Sequence, residues 1–214
     1  MTVIKPVNVL GLLSTSSLEG VYVALLNTDG VDVFDYGRLQ HIPYDEVLRE
    51  KIRPLLGTCP YTPEAVAEFQ AVNRELTVFH AEIVKDYIAA NGVEVDVIGY
   101  EGINLTNYAS GGETGLLGDG KLLAELTGIR VVCNFHAADI RAGGQGAPLD
   151  PVYYNALCAD IGKPLAVVNI SGITRVTWIG SYGEMTAFDT GPGNAAIDEW
   201  VRKHGGMHMD YNGK

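Results

Sequence analysis

The residues best suited to chemistry lie in Asn134-Phe-His-Ala-Ala-Asp-Ile-Arg-Ala-Gly-Gly-Gln-Gly-Ala-Pro-Leu149. An apolar, β-branched run, Ile129 to Cys133, precedes it and reads as a buried strand. Asp139 follows, and Gly143, Gly144 and Gly146 form a turn that Pro148 ends. A carboxylate just past a strand end, beside a glycine turn, is where α/β folds place catalytic groups. The same stretch also fits a plain strand and tight turn with one solvated aspartate. Three further turns each follow a strand: Ser14 to Gly20, Ser171 to Thr174 and Asp189 to Asn194. Each offers backbone amides with a hydroxyl or a carboxylate. Phosphoryl transfer uses such parts: amides for phosphate oxygens, a carboxylate for a divalent metal and another as base. Taken singly, each is also an ordinary Ser/Thr or glycine turn.

These residues need elements to hold them. Val7 to Leu13, Val21 to Leu26 and Val31 to Tyr36 read as an antiparallel meander. Pro43 to Leu56 is a short helical segment. Thr62 caps a long helix with Pro63 at its first position, and Asn91-Gly92 ends it. Val66, Phe69, Val72, Leu76, Phe79, Ile83 and Tyr87 form its apolar stripe. Arg74 and His80 on this helix are expected at surface or half-buried positions, with no chemical role. Val93 to Gly99 is a strand, Tyr100 to Gly120 irregular, and Gly120 to Gly128 a helix. A helix at Pro151 to Asp160 precedes strands at Leu165 to Ile170, Val176 to Gly180 and Met185 to Phe188. Ala195 to His204 is the last helix, capped by Gly193 or Asn194. The order predicts an α/β fold with a mixed sheet, and nothing marks an internal boundary.

Composition narrows the function. With 15 Lys and Arg against 26 Asp and Glu, the formal net charge of the 214-residue chain is −11. A phosphate backbone would be repelled, so nucleic acid is not an expected partner. The three cysteines, Cys59, Cys133 and Cys158, are too few and wrongly spaced for a disulfide framework or zinc site. The apolar run Val7 to Leu13 is too short to span a bilayer, and the start lacks a signal-peptide core. The expected location is therefore cytoplasmic, without membrane association. There is no GxxxxGK[ST], GxSxG or HExxH. Asp-Thr-Gly at Asp189 occurs in aspartic proteases as well, but the α/β order is wrong for that all-β class.

Several segments, in this order, resemble the anhydro-N-acetylmuramic acid kinase family of the sugar kinase, Hsp70 and actin superfamily. They are Gly11-Leu-Leu-Ser…Ser17-Leu-Glu-Gly20, Thr114-Gly-Leu-Leu-Gly-Asp-Gly120, Asp139…Gly-Gly-Gln-Gly-Ala-Pro-Leu149, Asn169-Ile-Ser-Gly-Ile173 and Phe188-Asp-Thr-Gly-Pro-Gly-Asn194. The resemblance implies an actin-like, ribonuclease H-like lobe over residues 1–214, with ATP and Mg²⁺ as cofactors and an anhydrosugar as substrate. It implies that water opens the 1,6-anhydro ring while the 6-oxygen takes the γ-phosphoryl group. Asp139 matches the catalytic base. Ser14, Thr15, Ser16, Ser17, Glu19 and Gly20 match one phosphate turn. Asn169, Gly172, Asp189, Thr190, Gly191 and Gly193 match the other, with Glu19 and Asp189 as metal candidates. Glu101, His136, Gly144 and Gln145 fall on the substrate side.

This chain departs from the family pattern where ligands would sit. The family's Ser-Gly-Thr-Ser-x-Asp-Gly is Ser14 to Gly20 here, with Thr15 for the glycine and Glu19 for the aspartate. Its His-Gly-Gln-Thr is Glu101-Gly-Ile-Asn104, and its Asp-Phe-Arg is Asn134-Phe-His136. The family also continues into a second lobe beyond the Asp189 turn, so a homodimer or a separately encoded second lobe is the expected partner. Three readings follow: a kinase of 1,6-anhydro-N-acetylmuramic acid, a catalytically dead pseudokinase acting as a binding module, and a kinase of another anhydrosugar.

Overall fold

The computed structural model describes residues 5–58, 62–105, 115–207, 210 and 213. Cys59 and Thr114 lie outside them. The chain divides into two compact units, Met1–Ala147 and Pro148–Lys214. No shift of composition announces that division.

Unit 1 begins with β1 (Val7–Ser14), β2 (Gly20–Thr28), β3 (Val33–Tyr36) and β4 (Gln40–Pro43). β1 and β2 pair antiparallel from Val7↔Thr28 to Ser14↔Val21. β3 and β4 both pair antiparallel with β2. The turn into β2 needs Gly20: its φ is +149°, and a Cβ there would overlap the Ile42 carbonyl. Next come α1 (Glu46–Ile52), a 3₁₀ turn at Arg53–Leu55 and the long α2 (Pro63–Asn91). Thr62 Oγ1 accepts from the Ala65 amide at the start of α2, and left-handed Gly92 closes it. β5 (Val97–Glu101) runs parallel to β1, and β8 (Arg130–Cys133) runs parallel to β5. The short strands β6 (Ile103–Asn104) and β7 (Leu116–Leu117) pair with each other. α3 (Gly120–Thr127) is capped by Asp119, and α4 (Phe135–Arg141) follows β8.

The sheet order is β3-β2-β1-β5-β8, with β4 on β2. The expected mixed sheet opened by an antiparallel meander is present. Its core joins Leu10, Val21, Val23 and Ile98 of the sheet to Leu76 and Val84 of α2, all fully buried. Each such side chain contributes about 1.5–3 kcal/mol relative to an exposed one.

Unit 2 holds α5 (Pro151–Leu157), β9 (Leu165–Ile170), β10 (Ile173–Ile179), β11 (Met185–Pro192) and α6 (Ala195–Gly205). The three strands form an antiparallel sheet in the order β11-β10-β9.

Several expectations are corrected. Residues 135–141, where the sequence offered only a strand followed by a glycine turn, form a helix whose last carbonyls are taken up by the Ala142, Gly143 and Gly144 amides. The third strand starts at Val33, after the Asp29 carboxylate has tied the Val31 and Asp32 amides into a turn. β5 starts at Val97, since Asp96 is held by a pairing with Asn8. The stretch expected to be irregular carries the end of β5 and the β6–β7 pair, because the Ile103–Leu117 and Asn104–Leu116 pairings supply its backbone partners. α5 ends at Leu157, where Lys163 Nζ takes up the Cys158 carbonyl. β10 begins at Ile173 because Thr174 and Arg175 already pair with Ile170 and Asn169. His80 is fully buried rather than half-exposed, since it finds polar partners inside the core.

Candidate active site

In unit 1 the registers Leu13↔Glu101 and Tyr100↔Cys133 bring the carboxyl ends of β1, β5 and β8 side by side. Ser14, Glu101 and Asn134 therefore leave the sheet along one edge. This edge is where open α/β sheets bind ligands.

Asp139 sits in α4, partly exposed. Its Oδ2 accepts from the Gly146 amide at 2.8 Å, and its own carbonyl accepts from the Gly144 amide at 2.9 Å. A Cβ at Gly144 would overlap the Asp139 carboxylate, so only glycine lets the turn close on the side chain. The Gly146 carbonyl in turn accepts from His136 Nδ1. The other ring nitrogen of His136, Nε2, lies 3.5 Å from Glu101 Oε1. Asn104 Nδ2 also reaches Glu101, at 3.4 Å. Burial pushes the Glu101 carboxyl above its ordinary range, and His136 and Asn104 oppose that push. Glu101, His136, Gly144 and Asp139, assigned separately from the sequence, thus meet in one cluster through Gly146. Gln145 is exposed on the same turn.

The first turn lies beyond β1. Ser16 and Ser17 are exposed, and Thr15 Oγ1 meets Ser17 Oγ at 2.5 Å. Leu18 takes a left-handed φ of 58° and buries its side chain, and its amide donates to the Thr15 carbonyl at 3.1 Å. Arg49 Nε caps the Leu18 carbonyl at 3.1 Å. Glu19 Oε2 accepts from Tyr22 OH at 3.0 Å, which aims the carboxylate. Ser14 differs from its neighbours: it is 3% exposed and turned inward.

In unit 2, the Ser171-Gly172 turn and the stretch 191–194 are tied together. The Gly193 amide donates to the Gly172 carbonyl at 3.0 Å, and the Asn194 amide to the Ser171 carbonyl at 2.7 Å. A Cβ at Gly193 would overlap that Ser171 carbonyl. Thr190 Oγ1 donates to the Thr174 carbonyl at 3.1 Å. Asp189 Oδ1 accepts from Arg175 Nε at 2.8 Å, and Arg175 Nη1 lies 3.5 Å from Asp150. Asn169 Nδ2 donates to Tyr154 OH at 3.0 Å. Gly191 stands on β11 between Thr190 and the turn. Asn194 begins α6 without a side-chain capping bond.

Sequence reading missed Tyr44, His80, Arg175 and the bridging role of Gly146. Only His80 carried a usable signal, since it falls four residues after Leu76 and three before Ile83 on the buried face of α2. Among the described residues, no three His, Cys, Asp or Glu side chains converge as a metal centre. No described helix is long and apolar enough to cross a membrane. Cys133 and Cys158 are both free.

An antiparallel meander feeding parallel strands, with ligand-type residues at their carboxyl edge, defines an α/β protein of the actin-like, ribonuclease H-like class. A family model described as anhydro-N-acetylmuramic acid kinase matches residues 7–214. The anhydro-N-acetylmuramic acid kinase of Rhodospirillum rubrum is 46% identical over 204 residues, covering 95% of this chain and 54% of the relative. That of Paramagnetospirillum magneticum is 43% identical over 208 residues, covering 96% and 57%. A solved Ppx/GppA family member from Aquifex aeolicus aligns at 11% identity with a TM-score of 0.42, over 91% of this chain and 54% of that one. The chain belongs to the anhydro-N-acetylmuramic acid kinase family, and it spans about half the length of the curated relatives it matches.

Proposed function

We propose that the chain is the base-carrying, phosphate-binding lobe of a cytoplasmic, ATP-dependent phosphotransferase acting on 1,6-anhydro-N-acetylmuramic acid, in peptidoglycan recycling and amino sugar catabolism. The observation that carries this reading is the setting of Asp139, held by the Gly146 amide at the parallel-strand edge against a turn where only glycine fits. One carboxylate oxygen is fixed, and the side chain remains partly open to a water molecule. In the proposed reaction, water attacks the anomeric carbon and gives a proton to Asp139. The bond from that carbon to the 6-oxygen breaks, and the 6-oxygen takes the γ-phosphoryl group of ATP. ADP leaves, and Asp139 returns its proton to solvent.

The two phosphate turns are proposed separately. Thr15, Ser16 and Ser17 with their amides form one, and Asn169, Gly172, Thr190, Gly191 and Gly193 the other. Glu19 and Asp189 are oxygen donors of the kind magnesium accepts beside phosphates and water. Both are at least partly exposed, and Tyr22 and Arg175 orient them. When bound, the metal would neutralise phosphate charge. A second lobe supplied separately, or a second copy of the chain, would complete the enclosure that such chemistry needs.

Glu101 favours a second reading. A partly buried carboxylate paired with His136 beside the base would repel a substrate carboxylate and would accept hydroxyl protons. A kinase of a neutral anhydrosugar fits that feature.

The first test is calorimetric titration of Mg·ATP into the 214-residue chain. Binding lost in Asp189→Ala supports the phosphate site, and product formation from 1,6-anhydro-N-acetylmuramic acid with a supplied second lobe should then disappear in Asp139→Asn. Absence of nucleotide binding would leave the chain as a non-catalytic binding module. Preference for a neutral anhydrosugar would select the second reading.

A further inference from the structure

The core of unit 1 contains a chain of hydrogen bonds that the proposed reaction does not use. Ser14 Oγ lies 2.7 Å from His80 Nε2, and Tyr44 OH donates to Ser14 Oγ at 2.8 Å. His80 Nδ1 lies 2.7 Å from the Leu76 carbonyl, one turn back along α2. Ser14 is 3% exposed, Tyr44 3% and His80 0%.

Donor and acceptor roles follow from the chemistry. A backbone carbonyl only accepts, so Nδ1 of His80 carries the hydrogen. Burial drives the imidazole down to about 4, although the Leu76 carbonyl partly opposes this, so the ring is neutral at neutral pH. In a neutral ring the other nitrogen is bare. Nε2 therefore accepts, and Ser14 must point its hydroxyl hydrogen inward. Tyr44 OH gives its hydrogen to Ser14 Oγ. Burial outweighs that bond and pushes the Tyr44 phenol up to about 12, so it stays a donor.

The same helix face continues the pattern. Thr77 Oγ1 accepts from the Asp119 amide at 3.0 Å, and Asn73 Oδ1 accepts from the Gly118 amide at 2.5 Å. Asn73, Thr77 and His80 stand at helical spacing on α2. Each is joined to a loop or strand end outside the helix.

We propose that His80 is a positioning residue: it draws the Ser14 hydroxyl into the core and so fixes the root of the Ser14–Gly20 turn, leaving Thr15, Ser16 and Ser17 to face the ligand. Ser14 is then an internal anchor rather than a phosphate ligand. This deepens the reading of that turn as a phosphate site, and rests on it. Misplacement of site groups by about 1 Å costs on the order of 10²-fold in catalysis, which gives such an anchor functional weight.

The test compares His80→Gln, which keeps an acceptor near the Nε2 position, with His80→Leu, which keeps the volume and removes it. Both should fold, as circular dichroism would show. Mg·ATP affinity should stay within about threefold in His80→Gln and fall at least tenfold in His80→Leu. Ser14→Ala should match His80→Leu, and the double variant should add nothing further. Imidazole ¹⁵N shifts at neutral pH should show Nδ1 protonated and Nε2 bare. Wild-type affinity in folded His80→Leu, equal loss in His80→Gln, or the opposite tautomer would overturn the proposal. If the native chain binds no nucleotide, the phosphate reading fails and the anchor is judged on amide exchange. Exchange at residues 15–18 should then be at least tenfold faster in His80→Leu but not in His80→Gln, and unchanged exchange in His80→Leu would overturn it.

Discussion

Leu10, Val21, Val23, Leu76 and Ile98 of unit 1 are wholly sealed from water, whereas Val168, Ile170, Phe188 and Trp200 of unit 2 are 51–67% exposed. Among the described residues, the buried hydrophobics of unit 2 are Cys158 and Ile179. The candidate residues are held by different forces as a result. In unit 1 a packed sheet and a 29-residue helix fix the strand edge where Ser14 ends β1 and Asn134 leads into the helix that carries Asp139. In unit 2 the turn expected from the sequence at Asp189 is instead part of β11. The Gly193-Asn194 turn that follows rests on backbone bonds to Gly172 and Ser171, and Asp189 on its ion pair with Arg175. Few buried contacts and solvent-facing hydrogen bonds mark a region that opens locally. Unit 1 is thus a platform for precise placement, and unit 2 an element whose order follows its polar contacts.

The largest contrast should come from truncating side chains. Leu76→Ala should cost about 2–5 kcal/mol in urea unfolding, while Val168→Ala should stay within about 0.5 kcal/mol. Equal costs would break the comparison. Acid should next act on the better-packed unit. The unfolded chain takes a proton on His80 near pH 6.5, but the folded chain refuses it until about 4. Stability from this group is complete above pH 6.5 and falls through that window, by about 1.4 kcal/mol per pH unit and roughly 3 kcal/mol in all. Equilibrium unfolding at several pH values should show this slope, and His80→Gln should flatten it. The smallest effect is expected at Arg175, whose guanidinium is partly exposed. Arg175→Met should cost no more than about 1 kcal/mol, yet amide exchange in β10 and β11 should quicken. A larger loss would mean that unit 2 is more firmly built than its burial implies.

Much of this arrangement was legible in the sequence where local chemistry decides. Thr62, Pro63 and Gly92 fixed the ends of α2, because capping groups act on their nearest amides and carbonyls. The meander was readable from strand-length apolar runs and polar turns. β6 and β7 were not, because two residues carry no periodicity, nor was β4, whose Gln40-His-Ile-Pro43 holds a single β-branched residue. α4 escaped because its seven residues have no apolar stripe and Asn134 enters it with a left-handed φ and no capping bond. Glu101 and His136 could be nominated singly, but their meeting depends on β5 and β8 lying side by side. His80 shows the converse case, where spacing pointed inward and residue type alone argued for the surface.

Gly146 gives its N–H to Asp139 and its carbonyl to His136. Those two groups belong to the peptide planes on either side of one Cα, so two torsions, with φ at +81°, set how an acid and an imidazole are aimed. The residue works as a single joint with two arms. A side chain there would both strain the backbone and press on Ile140. Substituting it would swing both arms together, so aspartate and histidine cannot be retuned one at a time through this position.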